Sequence, residues 1–270
     1  AEVDGLDRLV LKTSFGCPNR CSYCAVHVLE GQRFVFRDPA DVLDEIDLLL
    51  DRLDLREITF WESNLLLRAE RHLLPILRGL GARRDPLTLH APEGFQPSLI
   101  TQEVAGWLRE ARFRDIRLTL ETTDPERLAE SARPSGIAHV TQAAERLLAA
   151  GFRREDLQVV LLLGQPEQRL DQVLRDILHV YRLGLATTFL FYTPIPGTRD
   201  WKRYRPLFAD RSLEDLDSFL YPFASPTLTV AQLDAVVRYF HERYIPLARI
   251  ESSPTEDRLI RRMQEMIRDG

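Results

Sequence analysis

Short apolar runs alternate with longer stretches of helical period along most of this chain. Residues 8–13, 56–61, 86–90, 115–121, 157–163 and 187–192 are the short runs, and they read as strands. The run at 157–163 (Leu-Gln-Val-Val-Leu-Leu-Leu) is the most apolar, as befits a strand covered on both faces of a parallel sheet. Between the runs, apolar residues return every three to four positions. Val42, Ile46, Leu49, Leu50 and Leu53 mark a helix that Asp38 caps and Pro39 opens. Helical period also covers 67–79, 101–111, 137–150 and 170–183, the last two stopping at Gly151 and Gly184. Strand and helix recur every ~30 residues, the size of a βα repeat. The pattern predicts an α/β fold: a parallel (βα)6 partial TIM-type barrel with a C-terminal helical extension.

After Thr198 the alternation stops. Trp201, Tyr204, Phe208, Phe219, Tyr221 and Phe223 stand among prolines in 199–226, and helical period returns at 230–244 and 258–267. Residues 1–200 are expected to form the barrel core. Residues 201–270 are expected to pack on it as an aromatic-rich segment and C-terminal helices. The chain opens only a few residues before its first strand, which suggests either a minimal domain or a piece whose upstream part is missing.

Composition narrows the function. The 270 residues are 44% hydrophobic and carry a net charge of −5, so a sizeable core is expected and no basic field points to nucleic acid. No stretch approaches the ~20 apolar residues of a membrane helix, and no secretory signal opens the chain.

The strongest chemical signal is Gly16-Cys17-Pro18-Asn19-Arg20-Cys21-Ser22-Tyr23-Cys24. Cys17, Cys21 and Cys24 are the only cysteines of the chain. An odd count does not suit a disulfide framework. Three close thiolates suit a cubane 4Fe–4S cluster held at three irons, the fourth left open for chemistry. A Cys3His zinc site completed by His27 is the alternative. A reducible cluster and free thiols argue for a cytoplasmic protein.

The Cys-x-x-x-Cys-x-x-Cys spacing, with Tyr23 before the last cysteine, resembles the signature of the radical SAM superfamily. The resemblance covers about 8–200 and implies S-adenosylmethionine (SAM) chelating the open iron. Reductive cleavage then gives a 5′-deoxyadenosyl radical that abstracts hydrogen from a substrate. It also implies a small-molecule or unknown substrate and an electron donor such as flavodoxin or ferredoxin.

In a parallel α/β barrel the C-terminal ends of the strands form the active-site face, so each strand exit is a wall of the same site. Phe60-Trp61-Glu62-Ser63-Asn64 resembles the aromatic-Asp-Asp-Asn variant of cobalamin-binding members, with Glu62 implied to receive the SAM ammonium. Glu121 resembles the family carboxylate that contacts the SAM ribose or amino group. Arg133 matches an arginine that pairs with the SAM carboxylate. Residues 160–167 resemble the family's Gly-x-Ile-x-Gly-x-x-Glu element, with Leu162 implied on the adenine and Gly164 close to the ligand. Residues 192–198 resemble the Tyr-x-Pro-x-Pro-Gly-Thr exit of cobalamin-type and coproporphyrinogen dehydrogenase-like members, implying adenine contact from Tyr192 and Thr193. His90 and Glu93, at the third strand exit, are expected to contact substrate.

Two other readings stay open. One is a cobalamin-dependent methyltransferase fragment: cobalamin is possible, though no cobalamin-binding domain is visible in these residues. The other is a non-catalytic iron–sulfur electron-transfer module. No cysteines remain for an auxiliary cluster.

Overall fold

The computed structural model describes residues 7–83, 86–216, 227–252 and 255–268. Its elements in chain order are β1 (Arg8–Leu11), β2 (Ser14–Phe15), α1 (Val26–Leu29), β3 (Val35–Phe36), α2 (Pro39–Leu50), β4 (Glu57–Phe60), α3 (Leu73–Gly81), β5 (Thr88–His90), α4 (Gln102–Glu110), β6 (Ile116–Glu121), α5 (Pro125–Ser131), α6 (Ile137–Ala149), β7 (Leu157–Leu163), α7 (Leu170–Arg182), β8 (Ala186–Phe191), α8 (Arg199–Tyr204), α9 (Val230–Phe240), α10 (Leu247–Ile250) and α11 (Glu256–Arg268).

The long strands pair in parallel as β1-β4-β5 and β6-β7-β8. Single bridges from Leu89 to Phe113 and from Phe95 to Leu118 join the two halves. The six predicted strands therefore lie side by side in chain order, as consecutive right-handed βα units require. Ile58, Phe60, Leu89, Leu118, Val159 and Leu161 are buried in one core with Ile76, Ala143, Leu147, Val173 and Ile177 of the helices. With a side-chain period of two, the alternate positions Lys12, Trp61, Thr119, Glu121 and Leu162 line a cavity instead.

The two ends of the sheet differ. Among the described residues, no strand pairs with the outer edge of β1. The outer edge of β8 is sealed by the chain just after α9. Glu242 N donates to Thr187 O, Thr187 Oγ1 to Phe240 O, and Phe189 N to His241 Nδ1.

Asp38 caps α2 as expected, accepting from Ala40 N at 2.9 Å. Several boundaries differ from the sequence reading. The helix expected at 67–79 begins only at Leu73, because Arg68 takes a left-handed φ of 51° and residues before it form turns. The helix expected at 230–244 ends at Phe240, where the next two residues turn to cover β8. The β2–β3 hairpin and the short α1 and α5 were not foreseen. In the aromatic segment, Trp201, Tyr204, Phe208 and Leu216 pack with Leu162 and Tyr192 into a second apolar cluster. Phe219, Tyr221 and Phe223 lie outside the described residues. In the C-terminal extension, Leu259, Ile260 and Met263 of α11 join the main core. Among the described residues, no helix is long and apolar enough to cross a membrane.

Candidate cofactor site at the strand exits

The cysteine loop runs between β2 and α1 and is tied down on several sides. Gly16 N donates to Glu30 Oε2 at 3.0 Å and Cys17 N to Gly31 O at 3.2 Å. Ser22 N donates to Ser131 O, and Asp200 N donates to Ser22 O. Gly16 sits at φ 79°, where a Cβ would stand 2.3 Å from Arg33 O. Only glycine permits both that backbone and that approach.

Glu30 is a hub that sequence reasoning missed. It accepts from Lys12 at 2.8 Å, from Gly16 N and from Ser63 Oγ at 2.9 Å. Burial opposes its charge, yet these donors together hold its carboxyl below the ordinary value.

Cys17 and Cys21 are buried and Cys24 half-buried, all as free thiols. Burial pushes the Cys17 and Cys24 thiols up, and each feels Cys21 as a neighbouring charge. The three groups are therefore close. Among the described residues, however, no three His, Cys, Asp or Glu side chains converge on one metal ion. His27 lies in α1 and does not line the cavity.

The cavity beside the cysteines has a volume of about 760 Å³. Of the residues the sequence singled out, Cys17, Cys21, Tyr23, Cys24, Glu62, Glu93, Glu121, Arg133, Leu162, Tyr192 and Thr193 line it. Two do not. His90 lies between Glu57 at 3.7 Å and Asp115 at 3.5 Å. Gly164, at φ 78°, spends its N–H on Gln168 Oε1, whose amide returns to Leu162 O.

Glu62 lines the wall but is already fully engaged. Its side chain accepts from Thr13 N and Oγ1 and from Ser14 N and Oγ, and the residue is 2% exposed. It fastens the exit of β4 to the exit of β1, directly ahead of the cysteine loop. His72, wholly buried, lies 2.6 Å from the same Thr13 hydroxyl.

At the exit of β6 Glu121 and Arg133 form a buried ion pair at 3.3 Å. Arg133 Nη2 also donates to Thr119 O at 3.1 Å. Burial works against the guanidinium charge, but Glu121, Tyr23 and Cys21 outweigh it and hold Arg133 more firmly protonated. Burial and the Glu121 charge push the Tyr23 phenol well up, so it stays neutral. The Tyr23 hydroxyl, Arg133 Nε and Thr193 Oγ1 are buried without a hydrogen-bond partner. Orphaned polar atoms around one cavity are what a polar ligand would satisfy.

Among the described residues, Glu93 makes no hydrogen bond or ion pair, unlike Glu30, Glu62 and Glu121 of the same lining. Burial among protein groups raises its carboxyl, partly offset by Lys12 and Arg117. Sequence reasoning also missed His241. Its Nδ1 is taken by Phe189 N, so the neutral ring carries its proton on Nε2, and burial lowers its pKa. It missed Asp176 as well, a buried carboxylate on α7. The available signal was a charge in the buried register of a strongly amphipathic helix, beside Val173, Ile177 and Val180.

The family described as "Radical SAM superfamily" matches residues 11–177. An uncharacterized methyltransferase of Synechocystis sp. is 23% identical over 210 residues, 76% of this chain and 38% of that protein. A GTP 3′,8-cyclase of Ectopseudomonas mendocina is 29% identical over 192 residues, 69% of this chain and 54% of that protein. The chain thus spans about half or less of these relatives. Among solved structures, the radical S-adenosylmethionine methyltransferase TsrM of Kitasatospora setae, with cobalamin and a [4Fe-4S] cluster bound, superimposes with a TM-score of 0.63 at 22% identity. That match covers 74% of this chain and 37% of TsrM. The coproporphyrinogen III oxidase of Escherichia coli gives 0.56 at 14% identity, over 86% of this chain and 52% of that one. These structural likenesses concern the fold.

Proposed function

This chain belongs to the radical SAM superfamily, and we propose that it binds a 4Fe–4S cluster through Cys17, Cys21 and Cys24 and S-adenosylmethionine in the cavity beside them. The reading is carried by one observation: the three thiols share a cavity with the Glu121–Arg133 pair and the exits of β7 and β8. When bound, these groups supply reductive cleavage of SAM to a 5′-deoxyadenosyl radical that abstracts hydrogen from a substrate.

The protein's own residues bind and orient. Arg133, with Nε free and its charge secured by Glu121, offers a donor to a carboxylate. Glu121 accepts from ribose hydroxyls or an ammonium. Leu162 gives an apolar surface for adenine, and Tyr192 and Thr193 bound that end of the cavity. Tyr23 places a neutral hydroxyl next to the cysteines. Glu62 acts one step back, fixing the loop, so the ammonium contact implied for it passes to other acceptors. Glu93 faces the substrate side. His90, between Glu57 and Asp115, lies outside the cavity lining.

A second reading is methyl transfer with cobalamin. It is favoured by relatives named as methyltransferases and by the cobalamin-bound neighbour. Titration with cobalamin, followed by absorbance, separates the two.

The primary test is anaerobic: reconstitute the cluster, reduce with dithionite, add SAM and measure 5′-deoxyadenosine by mass spectrometry. The product is expected from the native chain and absent from Cys24→Ala. Full iron retention in Cys21→Ala, or no product although SAM binds, would overturn the reading.

A further inference from the structure

Glu121 does not sit in regular strand geometry. The β6–β7 register slips between Thr119 and Glu121, and Glu121 takes a left-handed φ of 78°. A non-glycine residue adopts that backbone at a cost and keeps it only where its surroundings dictate it. Here two side chains hold the flanks. Arg133 takes Thr119 O on one side. On the other, Asp176 reaches across from α7 and accepts from Thr122 Oγ1 at 2.9 Å, Thr123 N at 2.8 Å and Thr123 Oγ1 at 2.6 Å. Gln172, one turn earlier, donates to the same carboxylate at 3.1 Å and fixes its rotamer. Asp176 is 2% exposed and does not line the cavity. A carboxylate buried this deeply persists only with its acceptor capacity filled, and every group filling it belongs to the two residues after Glu121 or to its own helix.

We propose that Asp176 is a positioning residue for the SAM site. Through Thr122 and Thr123 it imposes the left-handed turn that aims the Glu121 carboxylate at Arg133 and into the cavity. This rests on the reading that the cavity takes SAM. Asp176 touches neither ligand nor cluster, so its effect passes entirely through Glu121.

The test is a double-mutant cycle on the full chain with its cluster reconstituted. SAM affinity is read by calorimetry and cluster content by iron analysis. Asp176→Ala is expected to weaken SAM binding about tenfold, the scale of one displaced charge-assisted contact, with iron content unchanged. Added to Glu121→Ala it is expected to cause no further loss, because the pathway is already cut. Asp176→Asn, which keeps one carbonyl acceptor, is expected to restore most of the affinity. If Asp176→Ala does not fold, Asp176→Asn enters the cycle, with a smaller loss that again vanishes on the Glu121→Ala background. Unchanged affinity, or an equal loss on both backgrounds, overturns the proposal. A native chain with a full cluster that binds no SAM overturns the cavity reading beneath it, a result visible before any variant is made.

Discussion

Replacing Glu62 with alanine separates two roles for a carboxylate at the β4 exit. Its two oxygens accept from two backbone N–H groups and two hydroxyls of Thr13 and Ser14, all buried. The hydroxyls can rotate toward other acceptors, but the two N–H groups cannot. Leaving a buried donor unsatisfied costs roughly 1–3 kcal/mol, so the pair loses roughly 2–6 kcal/mol. That is a large share of the roughly 5–15 kcal/mol that stabilises a typical domain. Glu62→Gln keeps one oxygen but turns an amide toward donors, so its loss should be intermediate. The assay is urea unfolding of the metal-free chain by far-UV circular dichroism, followed by iron uptake. Glu62→Ala is expected to unfold at markedly lower urea and to take up less iron, because the loop ahead of Cys17 loses its anchor. If it unfolds within about 0.5 kcal/mol of the native chain, as an ordinary surface change does, and takes up full iron while losing SAM affinity, the anchoring role is refuted. Glu62 would then be the ammonium acceptor its place in the sequence suggested.

Burial raises the Asp176 carboxyl from 3.8 to about 6. The native state thus binds more protons than the unfolded chain between those values, and this contribution to stability, fully present below pH 3.8, is lost as pH rises through about 6. About 3 kcal/mol is at stake at ~1.4 kcal/mol per unit, and the difference in unfolding free energy between native chain and Asp176→Asn should change over that window; a flat difference would contradict it. Gly16→Ala places a Cβ on Arg33 O in a left-handed backbone. It should lower iron uptake and cost at least ~1 kcal/mol of stability, whereas Gly81→Ala, whose Cβ meets nothing within 4 Å, should leave iron uptake intact.

The barrel was legible because its signals are local. Leu157–Leu163 is almost continuously apolar and Ile116–Glu121 alternates apolar with polar, both readable as strands, and Asp38-Pro39 marks a helix start without outside help. The hairpin of β2 and β3 is two residues per strand, too short to show a period. The cysteine spacing named the centre, yet a strand-exit position does not say where a side chain points. Glu62 and Glu121 occupy equivalent exits, but one is consumed by a neighbouring loop and the other turns to Arg133. That difference depends on partners 48 and 12 residues away, at Ser14 and Arg133, and on a register slip that no periodicity records. Asp176 was the one hidden residue with a readable anomaly.

The sealing of β8 by the residues after α9 also bears on how the chain is made. Among the described residues, Thr187 O and Phe189 N pair with Glu242 and His241, about 55 residues further on. At ~5–20 residues per second on the ribosome, the last strand waits roughly 3–10 seconds with its rim bare. An open strand rim is the surface through which chains join one another wrongly. The vectorial order of synthesis thus leaves the β8 edge bare until residues 240–242 have emerged.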